Sequence, residues 1–167
     1  GDFVLGLILA ISSRLDNARI TKDLATTAML MSEGEMIEGR LEASGDITFD
    51  DYLKVIEYKT ATAFEVSART GGIIANGTEE QIEALAEYGR YLGIAYQIRD
   101  DLLDWKDEKK LFNLLIKKSV DPRDGFNRME ELLKEYSEKA RVSLRKIPDS
   151  DAKINLEKLV KFTSFTV

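Results

Sequence analysis

The chain has no cysteine and no histidine, and it has only two prolines and one tryptophan among 167 residues. Without thiols it has no disulfide, no thiolate nucleophile and no Cys/His zinc site. Without imidazole it has no Ser-His-Asp triad and no side chain whose ordinary titration falls near neutrality. Catalysis, where there is any, rests on Asp, Glu, Lys, Arg, Tyr, Ser or Thr, with a hard metal ion as the available electrophile. Pro122 and Pro148 are the two helix breakers, and β-branched alternation is nowhere sustained, so long helices are the expected structure throughout. Long apolar runs are missing too. The most apolar stretch, Phe3 to Ile11, falls well short of the roughly 20 residues that span a bilayer. No basic segment precedes it in the manner of a secretory signal, and the expectation is a cytoplasmic protein with no integral membrane segment.

What is present is ordinary in bulk. A hydrophobic content of 44% and a charged content of 32% suit one globular domain over residues 1–167. A formal charge of −6, from 24 basic and 30 acidic side chains, argues against nucleic acid as the main partner. The helical periodicity and punctuation predict an all-α fold, with helices near 1–15, 21–43, 49–76, 79–105, 122–146 and 150–163. Thr21 and Asp23 are expected to open the second helix and Gly45-Asp46 to close it. Thr48 or Asp50 is expected to cap the third helix, Thr78 the fourth, and Asp121 the fifth ahead of Pro122. In the third, Thr60, Ala63, Ser67, Thr70 and Gly71 form a small-residue stripe that reads as the close-approach face of a central helix. In the fifth, Phe126, Met129, Leu132, Leu133, Tyr136 and Ala140 oppose Glu130, Glu131, Lys134, Glu135 and Lys139, the pattern of an amphipathic outer helix. The chain opens on Gly1 in an apolar helix, which reads as the interior of a larger protein.

The chemistry concentrates in Tyr91-Leu-Gly-Ile-Ala-Tyr-Gln-Ile-Arg-Asp-Asp-Leu-Leu-Asp104. Gln97, Asp100, Asp101 and Asp104 stand at i, i+3, i+4 and i+7 and share one helical stripe at the end of an apolar segment. Carboxylates at a helix C-terminus oppose the helix dipole, and clustered like charges call for a neutralising cation. Magnesium carrying a phosphorylated ligand fits one or two carboxylates plus ligand oxygens. The bland reading is a solvated acidic helix end paired with Lys106, Lys109 and Lys110. Lys59-Thr60 is the second feature. A lysine among Tyr58, Ala61, Ala63 and Phe64 either reaches solvent, pairs with Glu57 or Glu65, or, with the hydroxyl beside it and carboxylates on the next helix, grips a diphosphate. Glu33, Glu35 and Glu38 read as a solvated or ion-paired face, and Tyr88, Tyr91 and Tyr96 as core aromatics.

Taken in order, Gly1-Asp2-Phe3, Gly34-Glu35, Lys59-Thr60-Ala61 and Gly89-x-x-x-Gly93-Ile-Ala-Tyr-Gln-Ile-Arg-Asp-Asp-Leu-Leu-Asp104 resemble the C-terminal half of the trans-isoprenyl diphosphate synthases. That short-chain prenyltransferase family includes the farnesyl and geranylgeranyl diphosphate synthases. The resemblance implies an all-α isoprenoid-synthase-type bundle without its N-terminal helices. It implies magnesium (Mg2+) as cofactor, isopentenyl diphosphate and allylic diphosphates as substrates, and a homodimer or a pairing with another synthase subunit. Carried over, Asp100, Asp101 and Asp104 are the magnesium side, Lys59, Thr60 and Gln97 contact the allylic diphosphate, and Lys59, Asp100 and Asp101 are the catalytic set. The first aspartate-rich motif and the family's Gly-Lys loop after Asp104 are not recognisable. The isolated segment is therefore expected to be inactive by itself, and the alternative is a non-catalytic regulatory subunit or remnant acting as a helical partner.

Overall fold

The computed structural model describes residues 2–104, 111–118 and 121–164, and among them every regular element is a helix and none is a strand. In chain order these are α1 (Asp2–Ser12), α2 (Ala18–Ser44), α3 (Phe49–Ile56), α4 (Thr62–Ile74), α5 (Glu79–Leu103), α6 (Leu111–Lys118), α7 (Pro122–Ser143) and α8 (Asp151–Ser164). Short 3₁₀ turns follow α1 at Ser13–Leu15 and α7 at Leu144–Lys146, and a π-helical turn, Glu57–Ala61, joins α3 to α4. The all-α expectation is met. Among the described residues no helix is long and apolar enough to cross a membrane. Gly1, Trp105, Lys106, Lys109 and Lys110 lie outside the described residues.

Most boundaries follow the chain's own punctuation. Thr48 accepts from the Asp51 N–H while the Asp51 side chain accepts from Thr48, and Thr78 and Gln81 do the same for α5. Asp121 caps α7 with Pro122 in its first turn. Gly45 leaves α2 with φ of +63° and returns its N–H to the Leu41 carbonyl, a left-handed exit that glycine makes without steric cost. The start of α2 departs from expectation. Asn17, not Thr21 or Asp23, is the cap, its side chain accepting from the Arg19 and Ile20 amides. Asparagine ranks with the strongest N-caps, and nothing in Ala18-Arg-Ile opposes helix three residues early. Helix α6 was not expected at all: the eight residues Leu-Phe-Asn-Leu-Leu-Ile-Lys-Lys make too few turns for a period to show. The expected single helix over 49–76 is interrupted by the π-helical turn at Glu57–Ala61, which no sequence rule marks.

Helix α5 is the axis of the bundle, with α4 on one side, α7 on another and α8 alongside it from Tyr88, whose hydroxyl donates to the Leu156 carbonyl, to Arg99 over the Phe162 ring. Its glycines allow this. A Cβ at Gly93 would stand 2.6 Å from the Ala61 Cα, and one at Gly89 2.8 Å from the Phe64 carbonyl carbon and 2.9 Å from the Glu65 Cα. The close-approach face is thus on α5, and it meets residues 61, 64 and 65. The stripe expected to serve, Thr60 to Gly71, lies about 100° round the helix, and a Cβ at Gly71 meets nothing within 4 Å. Helix α7 behaves as an outer amphipathic helix should, with Met129, Leu132, Leu133 and Ala140 buried and Glu130, Glu131, Lys134, Glu135 and Lys139 exposed. Tyr88 is buried, while Tyr96 is 40% exposed, so the tyrosines of α5 do not all belong to the core.

One apolar core joins Tyr52, Val55 and Ile56 of α3, Ile94, Ile98 and Leu102 of α5, Phe112 and Leu115 of α6, and Met129, Leu132 and Leu133 of α7. Each large side chain taken wholly from water here contributes about 1.5–3 kcal/mol. This core fixes how α3, α5 and α6 face one another, and the cavity described next lies where they meet the π-helical turn.

Candidate diphosphate and metal site

A cavity of about 290 Å³ opens between α2, α3, the π-helical turn, α5 and α6. Its polar wall is Glu38, Glu42, Lys59, Thr60, Gln97 and Asp101; Tyr52, Val55, Ile56, Leu111 and Phe112 form the rest. Four of the six expected site residues, Lys59, Thr60, Gln97 and Asp101, therefore share one space although the sequence separates them by up to 42 positions. Asp100 and Asp104 do not line it. Asp100 is half-buried one residue round the helix, and Asp104 is exposed where α5 ends, its N–H bonded to the Asp100 carbonyl.

The π-helical turn supplies Lys59 and Thr60, and such turns recur where a helix displays functional groups. Gly34 of α2 makes room for them: a Cβ there would lie 2.8 Å from the Lys59 Cγ and 3.0 Å from the Tyr58 Cβ. The Lys59 ammonium meets the carboxylates of Glu38 and, at 3.3 Å, Glu35. The expected partners Glu57 and Glu65 are engaged elsewhere, with Arg90 at 2.5 Å and Arg69 at 2.7 Å. Burial works against the Lys59 charge, yet Glu38 and Glu35 outweigh it and hold its pKa above the ordinary lysine value. Glu35 and Glu38 are thus the ion-paired face that the sequence suggested.

Opposite Lys59, a chain of hydrogen bonds joins three elements. The Thr60 hydroxyl donates to Gln97 Oε1 at 2.9 Å, Gln97 Nε2 donates to Asp101 Oδ1 at 3.1 Å, and the Tyr52 hydroxyl donates to Asp101 Oδ2 at 2.6 Å. Burial, then the charge and hydrogen bond of Asp101, push the Tyr52 pKa well above the usual phenol value, so the phenol stays a donor. Sequence reasoning passed over Tyr52 and Phe112. Tyr52 did leave a signal, since Tyr52, Val55, Ile56 and Lys59 stand at i, i+3, i+4 and i+7 and all four reach the cavity. Phe112 left none, because its helix was not legible.

The charge balance limits what can bind. Among the described residues of its lining, three carboxylates, Glu38, Glu42 and Asp101, face one ammonium, Lys59, for a formal −2, so an anion is held more tightly with a cation than without one. Among the described residues no three acidic side chains converge as a closed metal site. A hard divalent ion carrying a phosphorylated ligand needs only one or two carboxylates and is completed by ligand oxygens. Oxygen-only donors, with Asp100 and Asp104 beside the buried Asp101 at the negative end of α5, fit a hard divalent cation.

The polyprenyl synthetase family model matches residues 1–117. The chain belongs to the polyprenyl synthetase family. It is 36% identical over 105 residues to the octaprenyl diphosphate synthase of Escherichia coli, covering 63% of this chain and 32% of that protein. It is 40% identical over 87 residues to the geranylgeranyl diphosphate synthase of Saccharolobus solfataricus, covering 52% of this chain and 26% of that one. In three dimensions it superposes on a polyprenyl synthase from Roseobacter denitrificans with a TM-score of 0.87 at 23% identity, over 98% of this chain and 68% of the other. The fold is therefore that of the polyprenyl synthases. The chain spans about a third of the length of the curated relatives it matches.

Proposed function

We propose that this polyprenyl synthetase chain carries the diphosphate-holding side of a prenyltransferase that joins isopentenyl diphosphate to an allylic diphosphate and yields a linear polyprenyl diphosphate. The observation that carries this reading is the convergence of Lys59, Thr60, Gln97 and Asp101 on one cavity whose acidic lining favours an anion that arrives with a cation. The names of the relatives, octaprenyl and geranylgeranyl diphosphate synthase, support the reaction class.

In this reading Asp100, Asp101 and Asp104 are the magnesium side, and Lys59, Thr60 and Gln97 contact the allylic diphosphate. Bound magnesium would neutralise the diphosphate and make it a leaving group. Lys59, exchanging its carboxylates for diphosphate oxygens, adds a charge-assisted hydrogen bond that strengthens as negative charge builds on departure. Thr60 and Gln97 orient the same group, and Gln97 Nε2 carries a second hydrogen besides the one given to Asp101. The apolar wall of Val55, Ile56, Leu111 and Phe112 keeps water from an allylic cation until the isopentenyl double bond attacks it. Loss of a proton to the released diphosphate then forms the new double bond. Histidine is dispensable, because positioning and electrostatics carry the work.

The reading includes a partner, either a second copy or another synthase subunit. Helix α1 is apolar yet exposed, with Phe3 at 82% and Val4 at 57%, and a helix hydrophobic on all sides is ordinarily covered. The test is calorimetry of the chain with magnesium and inorganic diphosphate, paired with a labelled isopentenyl diphosphate assay with and without a larger synthase subunit. Diphosphate binding that magnesium strengthens, with that gain lost in Asp100→Ala and Asp104→Ala, supports the reading. Diphosphate binding indifferent to magnesium and to both substitutions refutes it. Binding with no incorporation under any pairing turns the assignment to a non-catalytic subunit.

A further inference from the structure

Among the described residues, Asp101 is the buried acid, 6% exposed. A carboxylate withdrawn this far from water has to be met by donors or a cation. Gln97 reaches its Oδ1 and Tyr52 its Oδ2, the latter at 2.6 Å, the length of a strong hydroxyl-to-carboxylate bond. Both donors are neutral, so they orient the carboxylate without cancelling its charge.

The two donors differ in how firmly they are placed. Gln97 is half-buried on a flexible side chain and is itself shared with Thr60. Tyr52 is 1% exposed, its ring lies 6.3 Å from that of Phe112 at 57°, and it belongs to the core with Val55 and Ile98. A phenol has two torsions, and packing against α6 fixes both, so the place of the hydroxyl is set by the core. That hydroxyl crosses from α3 to α5 and lands on the oxygen that Gln97 does not hold.

We propose that Tyr52 is a positioning residue whose hydroxyl holds the Asp101 carboxylate in the orientation that lets the aspartates share a cation with a diphosphate on Lys59 and Thr60. This rests on the diphosphate and magnesium reading above. Tyr52 itself touches neither ligand. Its effect passes through Asp101, and it therefore alters affinity for the metal and leaves untouched what Lys59 alone provides.

The test is a magnesium titration at saturating inorganic diphosphate, followed by calorimetry on wild-type chain, Tyr52→Phe and Asp101→Asn, with the unliganded melting of each recorded. Tyr52→Phe is expected to keep its helical spectrum and to raise the magnesium concentration at half-saturation about tenfold. Weak diphosphate binding without metal is expected to stay unchanged, which a merely structural loss would not spare. A wild-type midpoint in Tyr52→Phe overturns the inference. If Tyr52→Phe does not fold, Phe112→Leu frees the ring while keeping the hydroxyl. A rise in the midpoint in the same direction then supports the inference, and no rise overturns it. Asp101→Asn separates the two levels. If it binds magnesium and diphosphate as wild type does, the parent reading fails; if it is impaired while Tyr52→Phe is not, only the role of Tyr52 fails.

Discussion

Two cations ten residues apart, Lys59 on the π-helical turn and Arg69 on α4, are both half-buried and both met by carboxylates of α2, yet they have different work. Arg69 gathers Glu65 of its own helix at 2.7 Å, Glu83 of α5, and Asp23 of α2 at 4.0 Å. Its planar fork joins three helices at once, and the cleft of about 230 Å³ beside it is lined by Thr26, Thr27 and Thr62 together with Asp23 and Glu65. Lys59 gathers two carboxylates of a single helix, Glu35 and Glu38, and faces a cavity with Asp101 across it. A guanidinium in three pairings is a staple. An ammonium is a compact point charge that can exchange partners, and with α2 alone behind it, release disturbs no other contact between helices.

The largest effect comes from removing what both cations depend on, the contact of α4 with α5. Gly89→Val places branched carbon against the Phe64 and Glu65 backbone, which cannot yield as a flexible side chain does. Overpacking of this kind costs about 3 kcal/mol or more, and the urea midpoint is expected to fall accordingly, with diphosphate binding lost as well.

Exchanging each cation for methionine separates the roles. Arg69→Met leaves Asp23, Glu65 and Glu83 without their shared partner. Breaking a fully buried pair costs about 3–5 kcal/mol; Glu83 is 52% exposed, so the expected loss is about 2 kcal/mol, with magnesium-dependent diphosphate affinity kept. Lys59→Met is expected to cost less than about 1 kcal/mol of stability, since Glu35 is 67% exposed and can turn to water, while affinity falls about 10- to 100-fold. Equal stability losses in the two variants, or intact affinity in Lys59→Met, would erase the distinction. A finer cut is Gly34→Ala, whose added carbon presses on the Lys59 Cγ. It is expected to cost about 1 kcal/mol in denaturant unfolding and to weaken diphosphate binding, with the Arg69 cluster untouched.

How much of this was legible differs between the two clusters. The Lys59-Thr60 pair and the stripe from Gln97 to Asp104 were readable because a lysine in an apolar helix and carboxylates at a helix end are both costly without a purpose. Arg69 was not readable as a staple, because its partners lie on three helices and no local spacing joins Asp23 to Glu83. The π-helical turn was hidden for a related reason: one extra residue in a turn changes no composition, though it shifts which side chains reach the cavity. Tyr52 shared a readable stripe with Lys59, but a core tyrosine and a tyrosine holding an aspartate look alike until α5 is placed beside α3. The caps at Thr48, Thr78 and Asp121 were legible because a cap is local, and α6 was not, because packing against α7 rather than its own sequence makes it a helix.

The smallest expected effect is also the one that distinguishes the two cations by charge alone. Burial opposes both charges, but Glu38 and Glu35 raise the Lys59 pKa, and Glu65, Glu83 and Asp23 raise that of Arg69. A folded pKa above the unfolded value means that the native state keeps a proton the unfolded chain releases. The stabilisation is therefore complete below the ordinary lysine value of 10.5 and fades as pH rises through the folded one. Arginine, whose ordinary value lies well above that of lysine and is raised further here, keeps its charge over that interval. Two tyrosines titrate in the same direction: burial raises Tyr88 to about 12 and Tyr52 well above 10.0, so their contributions also fade once the unfolded phenols ionise. The lysine share must therefore be taken by difference. Denaturant unfolding from about pH 9 to about pH 12 should show the gap between wild type and Lys59→Met narrowing above 10.5, while the gap between wild type and Arg69→Met stays level. The tyrosines are common to all three proteins and cancel. A lysine gap that stayed level would mean that its pairing with Glu38 and Glu35 contributes nothing through charge, and that Lys59 is held by its packing alone.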